Sequence, residues 1–235
     1  MNKKGFTLAE VLITLGIIGV VAALTLPSVI GNYQKQTYVT GAKKAYSTLT
    51  NMMSKIAADD GVGGFAESYF FSGLICTPDW ANGGVANGCE DNYGNPSKFE
   101  EIIPKYLNVV KICKANECGV EYYSHGYIEN GKLRTSSSRN IISQESYTFG
   151  PVTGFYTADG MIYYFSIGYN AIMVFMDVNG EKQPNTAGRD LFYVTLCSNG
   201  RTIGGNPHGG CDSYGDDFRG WPLFYLMRNG WNMDY

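Results

Sequence analysis

From Phe6 to Ile30 the chain is almost wholly apolar, and Glu10 is the single charge in those 25 residues. As a helix the run is about 37 Å long at 1.5 Å per residue, and a bilayer core needs about 20 residues to cross it. Whatever else folds is therefore tethered to a membrane span. Lys3 and Lys4 precede the run. Basic residues stay on the cytoplasmic side of a span, so everything after Ile30 is expected on the outer side.

A carboxylate inside such a run is expensive, and ionisable groups in membrane helices generally have a partner and a task. A free amino group at Phe6, produced by cleavage after Gly5, would be one partner for Glu10. Within one helix the two groups are poorly placed for each other. Between neighbouring chains they could pair and set the axial stagger of packed helices, the registry role for which buried ion pairs are best known. Gly16, Gly19 and Ala23 recur on one stripe, where small side chains let helices approach closely. Pro27 removes a backbone hydrogen bond and is expected to loosen the helix locally. An ordinary secretory signal, with Ala22-Ala23 near the cut, fits less well, because of Glu10 and because the helical pattern continues past Ala23. A plain single-span anchor places no requirement on Gly5, Phe6 or Glu10.

Beyond the span, Tyr38, Ala42, Ala45, Leu49, Met52 and Ile56 follow spacings of four and three, which puts them on one helical face. One long helix is expected from Phe6 to about Ala58, its first half facing lipid or other subunits and its second half serving as domain scaffold. Asp59-Asp60-Gly61 ends it.

The run Lys4-Gly5-Phe6-Thr7-Leu8-Ala9-Glu10 resembles the class III signal of type IV prepilins and pseudopilins. The resemblance covers the chain to about Ala58 and joins a basic leader, Gly, Phe, Thr, Leu and Glu at fixed offsets before an apolar run. It implies that a membrane aspartyl peptidase cuts between Gly5 and Phe6 and methylates the new N-terminal Phe6, and that Glu10 serves assembly. It also implies that Pro27 marks a place where the helix melts inside a filament. The expected partners are other pilin or pseudopilin subunits, the prepilin peptidase, an inner-membrane assembly platform and membrane lipid. The expected organisation is a leader over 1–5, a pilin helix over 6–58 with 6–30 as its transmembrane and assembly part, and an extracytoplasmic head over 59–235. The expected function is a structural subunit of a pilus-like filament serving adhesion, secretion or DNA uptake. A membrane-tethered binding module that never polymerises is the alternative.

The head reads as β-rich. The chain has 30 Gly and 18 Tyr, a mix suited to strands and turns. Strands are expected at Val152–Thr157, Met161–Ile167, Ala171–Val178 and Asp190–Leu196, with Ala158-Asp159-Gly160 as a hairpin turn. The fold class is thus α+β: a long helix packed on an antiparallel sheet of about four strands. Residues 59 to about 118 read as irregular, with a short helix over Pro96 to Leu107, and Pro222 opens another that Asn229-Gly230 closes. The even set of six cysteines lacks the C-x2-C spacing of zinc sites. It favours disulfides stapling the loops outside a reducing compartment. Neighbours in sequence meet most easily, which favours Cys76–Cys89, Cys113–Cys118 and Cys197–Cys211.

Asp177-Val178-Asn179-Gly180-Glu181 opens like a calcium loop, and Asp190 follows in the same connection. Asp177, Asn179 and Asp190 are the candidate ligands for Ca2+, the one cofactor the sequence suggests. The EF-hand pattern is not met, and a turn at Asn179-Gly180 with Asp190 as cap accounts for the same residues. Catalysis has no positive sign. His125 and His208 stand in loop contexts, and neither a G-x-S-x-G nor a phosphate-binding loop occurs. Removal of Lys3 and Lys4 leaves 16 basic residues from 18 against 21 acidic ones, a change in net charge from −3 to −5. That balance argues against direct binding of nucleic acid.

Overall fold

A computed structural model describes residues 5, 7–74, 97–114, 121–123, 126–135, 139–141, 152–167, 171–197, 202–203 and 222–235. The chain divides into two compact units, Met1–Thr37 and Tyr38–Tyr235, and one helix, α1 (Leu8–Asp59), runs through both.

In the first unit the helix is unbroken through Pro27. Leu12, Ile13, Leu15, Ile17, Ile18 and Leu24 all stand exposed. Its threonine hydroxyl groups bond within the helix. Thr14 Oγ1 donates to the Glu10 carbonyl at 2.9 Å, Thr25 Oγ1 to that of Val21 at 3.0 Å and Thr37 Oγ1 to that of Tyr33 at 2.9 Å. This back-bonding lets polar residues sit in an apolar run without an unpaired donor. Length and composition suit the helix to crossing a membrane.

In the second unit α1 buries Val39, Ala42, Ala45, Leu49, Met52 and Ile56, while Tyr38 packs at the margin of the same core. The expected stripe is thus the buried one, with Val39 taking the fully covered place at its start. The helix closes on a Schellman motif. Gly61 (φ 68°) donates to the Ala58 carbonyl at 3.1 Å and Val62 to that of Ala57 at 3.0 Å, and the left-handed turn suits glycine.

Short helices follow, α2 (Tyr69–Ser72) and α3 (Ser97–Tyr106), then the strand β1 (Val109–Cys113). Two small ladders stand apart from the main sheet: β2 (Glu121–Tyr123) pairs with β5 (Arg139–Ile141), and β3 (Gly126–Glu129) with β4 (Lys132–Thr135). The central meander is β6 (Val152–Thr157), β7 (Ile162–Ile167), β8 (Ala171–Asp177) and β9 (Leu191–Cys197), followed by β10 (Thr202–Ile203) and the helix α4 (Pro222–Arg228). The main sheet is antiparallel in the order β1-β6-β7-β8-β9-β10.

The four expected strands are β6 to β9. The sheet gains β1 at one edge, within a stretch the sequence reads as irregular. There Lys111 interrupts the apolar residues and Val110 is 66% exposed, so the strand carries no clean alternation.

One face of the sheet joins α1 in a single core. Phe155, Tyr163, Phe165, Ile172, Val174 and Phe192 pack with Leu49 and Met52, and Phe99 of α3 meets Phe165 at 5.4 Å between ring centroids. The other face is buried as well, with Ile162, Tyr164, Phe175, Leu191 and Tyr193 in a second cluster. Burial on both faces explains why these strands read as continuous apolar runs instead of alternating ones.

Candidate functional site

Two places hold the chemistry singled out by the sequence: the start of α1 and the connection from β8 to β9.

At the start of α1, Thr7 and Glu10 form a reciprocal capping box. The Glu10 N–H donates to Thr7 Oγ1 at 3.3 Å, and the Thr7 N–H donates to Glu10 Oε2 at 2.8 Å. The Thr7 hydroxyl also donates to Glu10 Oε2 at 2.8 Å, and Val11 N–H donates to the Thr7 carbonyl at 3.2 Å. Two helix-terminal donors are thereby satisfied. The sequence reading sought a partner for Glu10 only in another chain and missed this local one, although the T-x-x-E spacing of Thr7 to Glu10 was there to be read. Gly5 is exposed, and Phe6 lies outside the described residues. Gly16, Gly19 and Ala23 are exposed, and a side chain added at Gly16 or Gly19 would meet nothing within 4 Å.

The β8–β9 connection is organised by Asp190, which is fully buried. Its carboxylate accepts from Thr186 N–H at 2.7 Å, Asn185 N–H at 2.9 Å and Asn179 Nδ2 at 3.1 Å. Burial raises its pKa, and these donors act against that rise. Val178 N–H donates to the Asp190 carbonyl at 2.9 Å. Asp177 is also fully buried, and its Oδ1 accepts from Asn179 N–H at 3.2 Å. Burial, with Asp190 close by, pushes the Asp177 carboxyl up to about 8. The turn at Gly180 (φ 71°) lies against the β6–β7 turn, where an added Cβ would come within 2.7 Å of the Gly160 carbonyl. Gly41 of α1 faces the same connection, and a Cβ there would stand 2.8 Å from Val178 Cβ. Glu181 accepts from the Tyr156 hydroxyl at 2.6 Å. The structure thus brings Asp177, Asn179 and Asp190 into one knot and adds Asn185, which the sequence reading did not single out.

Cys113 and Cys197 are both disulfide-bonded. They cannot bond each other, because β1 and β9 lie four strand spacings apart, roughly 19 Å, against a Cα separation of about 7 Å at most across a disulfide. Cys76, Cys89, Cys118 and Cys211, and with them the three expected pairings, lie outside the described residues, as do His125 and His208. Among the described residues there is no group of three or more His, Cys, Asp or Glu placed to hold a metal.

Residues 1–26 match the prokaryotic N-terminal methylation motif. Comparison with curated proteins and with solved structures gives no match.

Proposed function

We propose, from an N-terminal segment that is the class III signal of type IV prepilins and pseudopilins, that this chain is a structural subunit of a pilus-like filament. The observation that carries the reading is the match over residues 1–26. Its support is physical: a basic leader, a Gly5–Phe6 junction, and an apolar run from Phe6 to Ile30 whose only charge, Glu10, lies near its start.

In this reading the peptidase hydrolyses the Gly5–Phe6 bond. Gly5 leaves with the new carboxyl group, and Phe6 keeps the new amine, which the same enzyme methylates. The mature chain waits in the inner membrane, anchored by residues 6–30, with its head on the outer side. It then packs helix to helix with other subunits on an assembly platform. Glu10 of one subunit faces the Phe6 amine of its neighbour, exchanging its hold on Thr7 for an intermolecular one. The Gly16, Gly19 and Ala23 stripe admits close approach between helices, and Pro27 offers a place for the helix to yield. The chain's own work is contact-making, with no reaction assigned to it.

Mass spectrometry of the mature N-terminus tests the processing step, with a chain starting at methylated Phe6 as the expected result. Assembly is tested by comparing Glu10→Gln with Glu10→Ala. Glutamine at this position still completes a capping box but carries no charge. Both variants are expected to insert in the membrane and neither to form filaments. Filaments from Glu10→Gln would reduce Glu10 to a helix cap. A tethered binding module that does not polymerise predicts at most dimers when cysteines at Gly16 and Gly19 are cross-linked, whereas a filament subunit predicts a ladder.

A further inference from the structure

Charge is sorted along this chain. Between Glu10 and Asp59 the only charged residues are Lys35, Lys43, Lys44 and Lys55. From Ile56 to Ser97 the sign reverses, with Asp59, Asp60, Glu67, Asp79, Glu90 and Asp91 and no Lys or Arg. Among the described residues, the one ion pair that α1 makes with the rest of the head joins Lys44 to Asp159 at 2.8 Å. Lys43 stands exposed on the same turn. A face with one sign of charge and an opposing surface with the other steer an encounter and fix its register.

An aromatic anchor sits beside Lys43. Trp231 has φ 63°, a left-handed backbone that a bulky residue keeps only where its surroundings enforce it. The C-terminal segment supplies the enforcing bonds. Asn229 Nδ2 donates to the Asn232 carbonyl at 3.1 Å and to Asp234 Oδ2 at 2.9 Å, and the Tyr225 hydroxyl donates to Asp234 Oδ1 at 3.0 Å. The indole is thereby laid against α1, 6.5 Å from the Tyr46 ring and 5.6 Å from Lys43 Nζ, and it stays partly exposed. Trp and Tyr are the residues in which interfaces concentrate their binding energy. The far end of α1 offers the complement. Tyr69 is 78% exposed, and its N–H donates to Asp60 Oδ2 at 2.8 Å. Glu67 Oε2 accepts from the Gly63 N–H at 3.2 Å. An exposed aromatic ring is thus held among carboxylates.

We infer that the patch formed by Lys43, Tyr46 and Trp231 is a docking surface for a second copy of this chain, whose segment 60–69 seats on it. Asp60 and Glu67 of the incoming copy face Lys43, and its Tyr69 lies on the aromatic pair. The two surfaces differ and every copy carries both, so the contact runs head to tail and repeats without closing. Within one chain Lys43 and Asp59 are about 24 Å apart along the helix. Parallel copies in this contact are therefore displaced along α1 by about that length. A repeating array rests on the filament reading above, whereas the contact between two copies is measured by itself.

The test treats the full chain, in detergent and in membranes of producing cells, with a carbodiimide that joins an amine to a carboxylate without a spacer. Mass spectrometry then reads the linked peptides. A Lys43–Glu67 link is expected, and the length of α1 between them makes it a link between chains. Lys43→Glu and Glu67→Lys, both at exposed positions, are each expected to lower the yield of linked chains at least about tenfold at low salt. Their melting temperatures, read alongside, show that both still fold. Carrying the two changes in one chain reverses both poles and is expected to restore the yield. Tyr69→Ala, which removes an exposed ring, is expected to lower it about threefold. Absence of the link in the wild type would overturn the proposal, as would an undiminished yield in either single variant or no recovery in the folded double variant. Filaments that form without the link would remove this contact and leave the filament reading standing. The link without filaments would keep the contact and remove that reading.

Discussion

Asp190→Ala tests whether one side chain organises the β8–β9 connection. The substitution removes the acceptor for three donors, two of which are backbone N–H groups of Asn185, 5% exposed, and Thr186, 8% exposed. A buried donor left without a partner costs about 1–3 kcal/mol. Three toward the lower end give a loss of about 3–5 kcal/mol, which relief of the repulsion between Asp177 and Asp190 reduces, so a net loss of about 2–4 kcal/mol is expected. For a domain of this size each kcal/mol shifts the melting temperature by about 2–4 °C, giving a fall of roughly 10 °C. The assay is near-UV circular dichroism melting of the full chain in detergent at neutral pH with chelator present, so that no metal contributes. Asp190→Asn keeps one oxygen and should fall between the two. A melting temperature for Asp190→Ala within about 2 °C of wild type would refute the reasoning, because the connection would then hold its shape without the carboxylate.

Other consequences can be measured alongside. Gly41→Ala gains about 1 kcal/mol of helix propensity, but its new Cβ would meet Val178 carbons at 2.8 and 3.0 Å. Crowding of that kind costs about 1–3 kcal/mol, so a net fall in melting temperature is expected, and a rise would show that the contact yields freely. Leu49→Ala empties a fully buried position in the shared core and should lower stability by about 3 kcal/mol, read as a lower urea midpoint at unchanged slope. At Asp159 burial works to raise the pKa, but the Lys44 ammonium at 2.8 Å, the Thr157 hydroxyl and the Met161 N–H together hold it below the ordinary carboxylate range. A depressed folded-state pKa gives stability that is present above the unfolded-state pKa and lost as pH falls through the folded one. Asp159→Asn should therefore melt lower than wild type at neutral pH and converge with it in strong acid, and a constant offset across pH would exclude this linkage.

The sequence alone determined the elements governed by local periodicity. The apolar run and the stripe from Ala42 to Ile56 placed one helix from the membrane segment into the head, because helical spacing is a property of the chain itself. Strong β-formers bounded by turn residues likewise placed β6 to β9. The capping box at Thr7 and Glu10 was equally local and legible. Only the tertiary structure decided the rest. It set β1 on the sheet edge, where pairing with β6 outweighs a weak pattern. It also buried both faces of the central strands. It gathered Asp177, Asn179, Asn185 and Asp190 around shared hydrogen bonds. The donors to Asp190 come from Asn179, Asn185 and Thr186 in the same connection, and the irregular backbone path that turns them onto one carboxylate follows no helical or strand period, so no spacing along the chain encodes it.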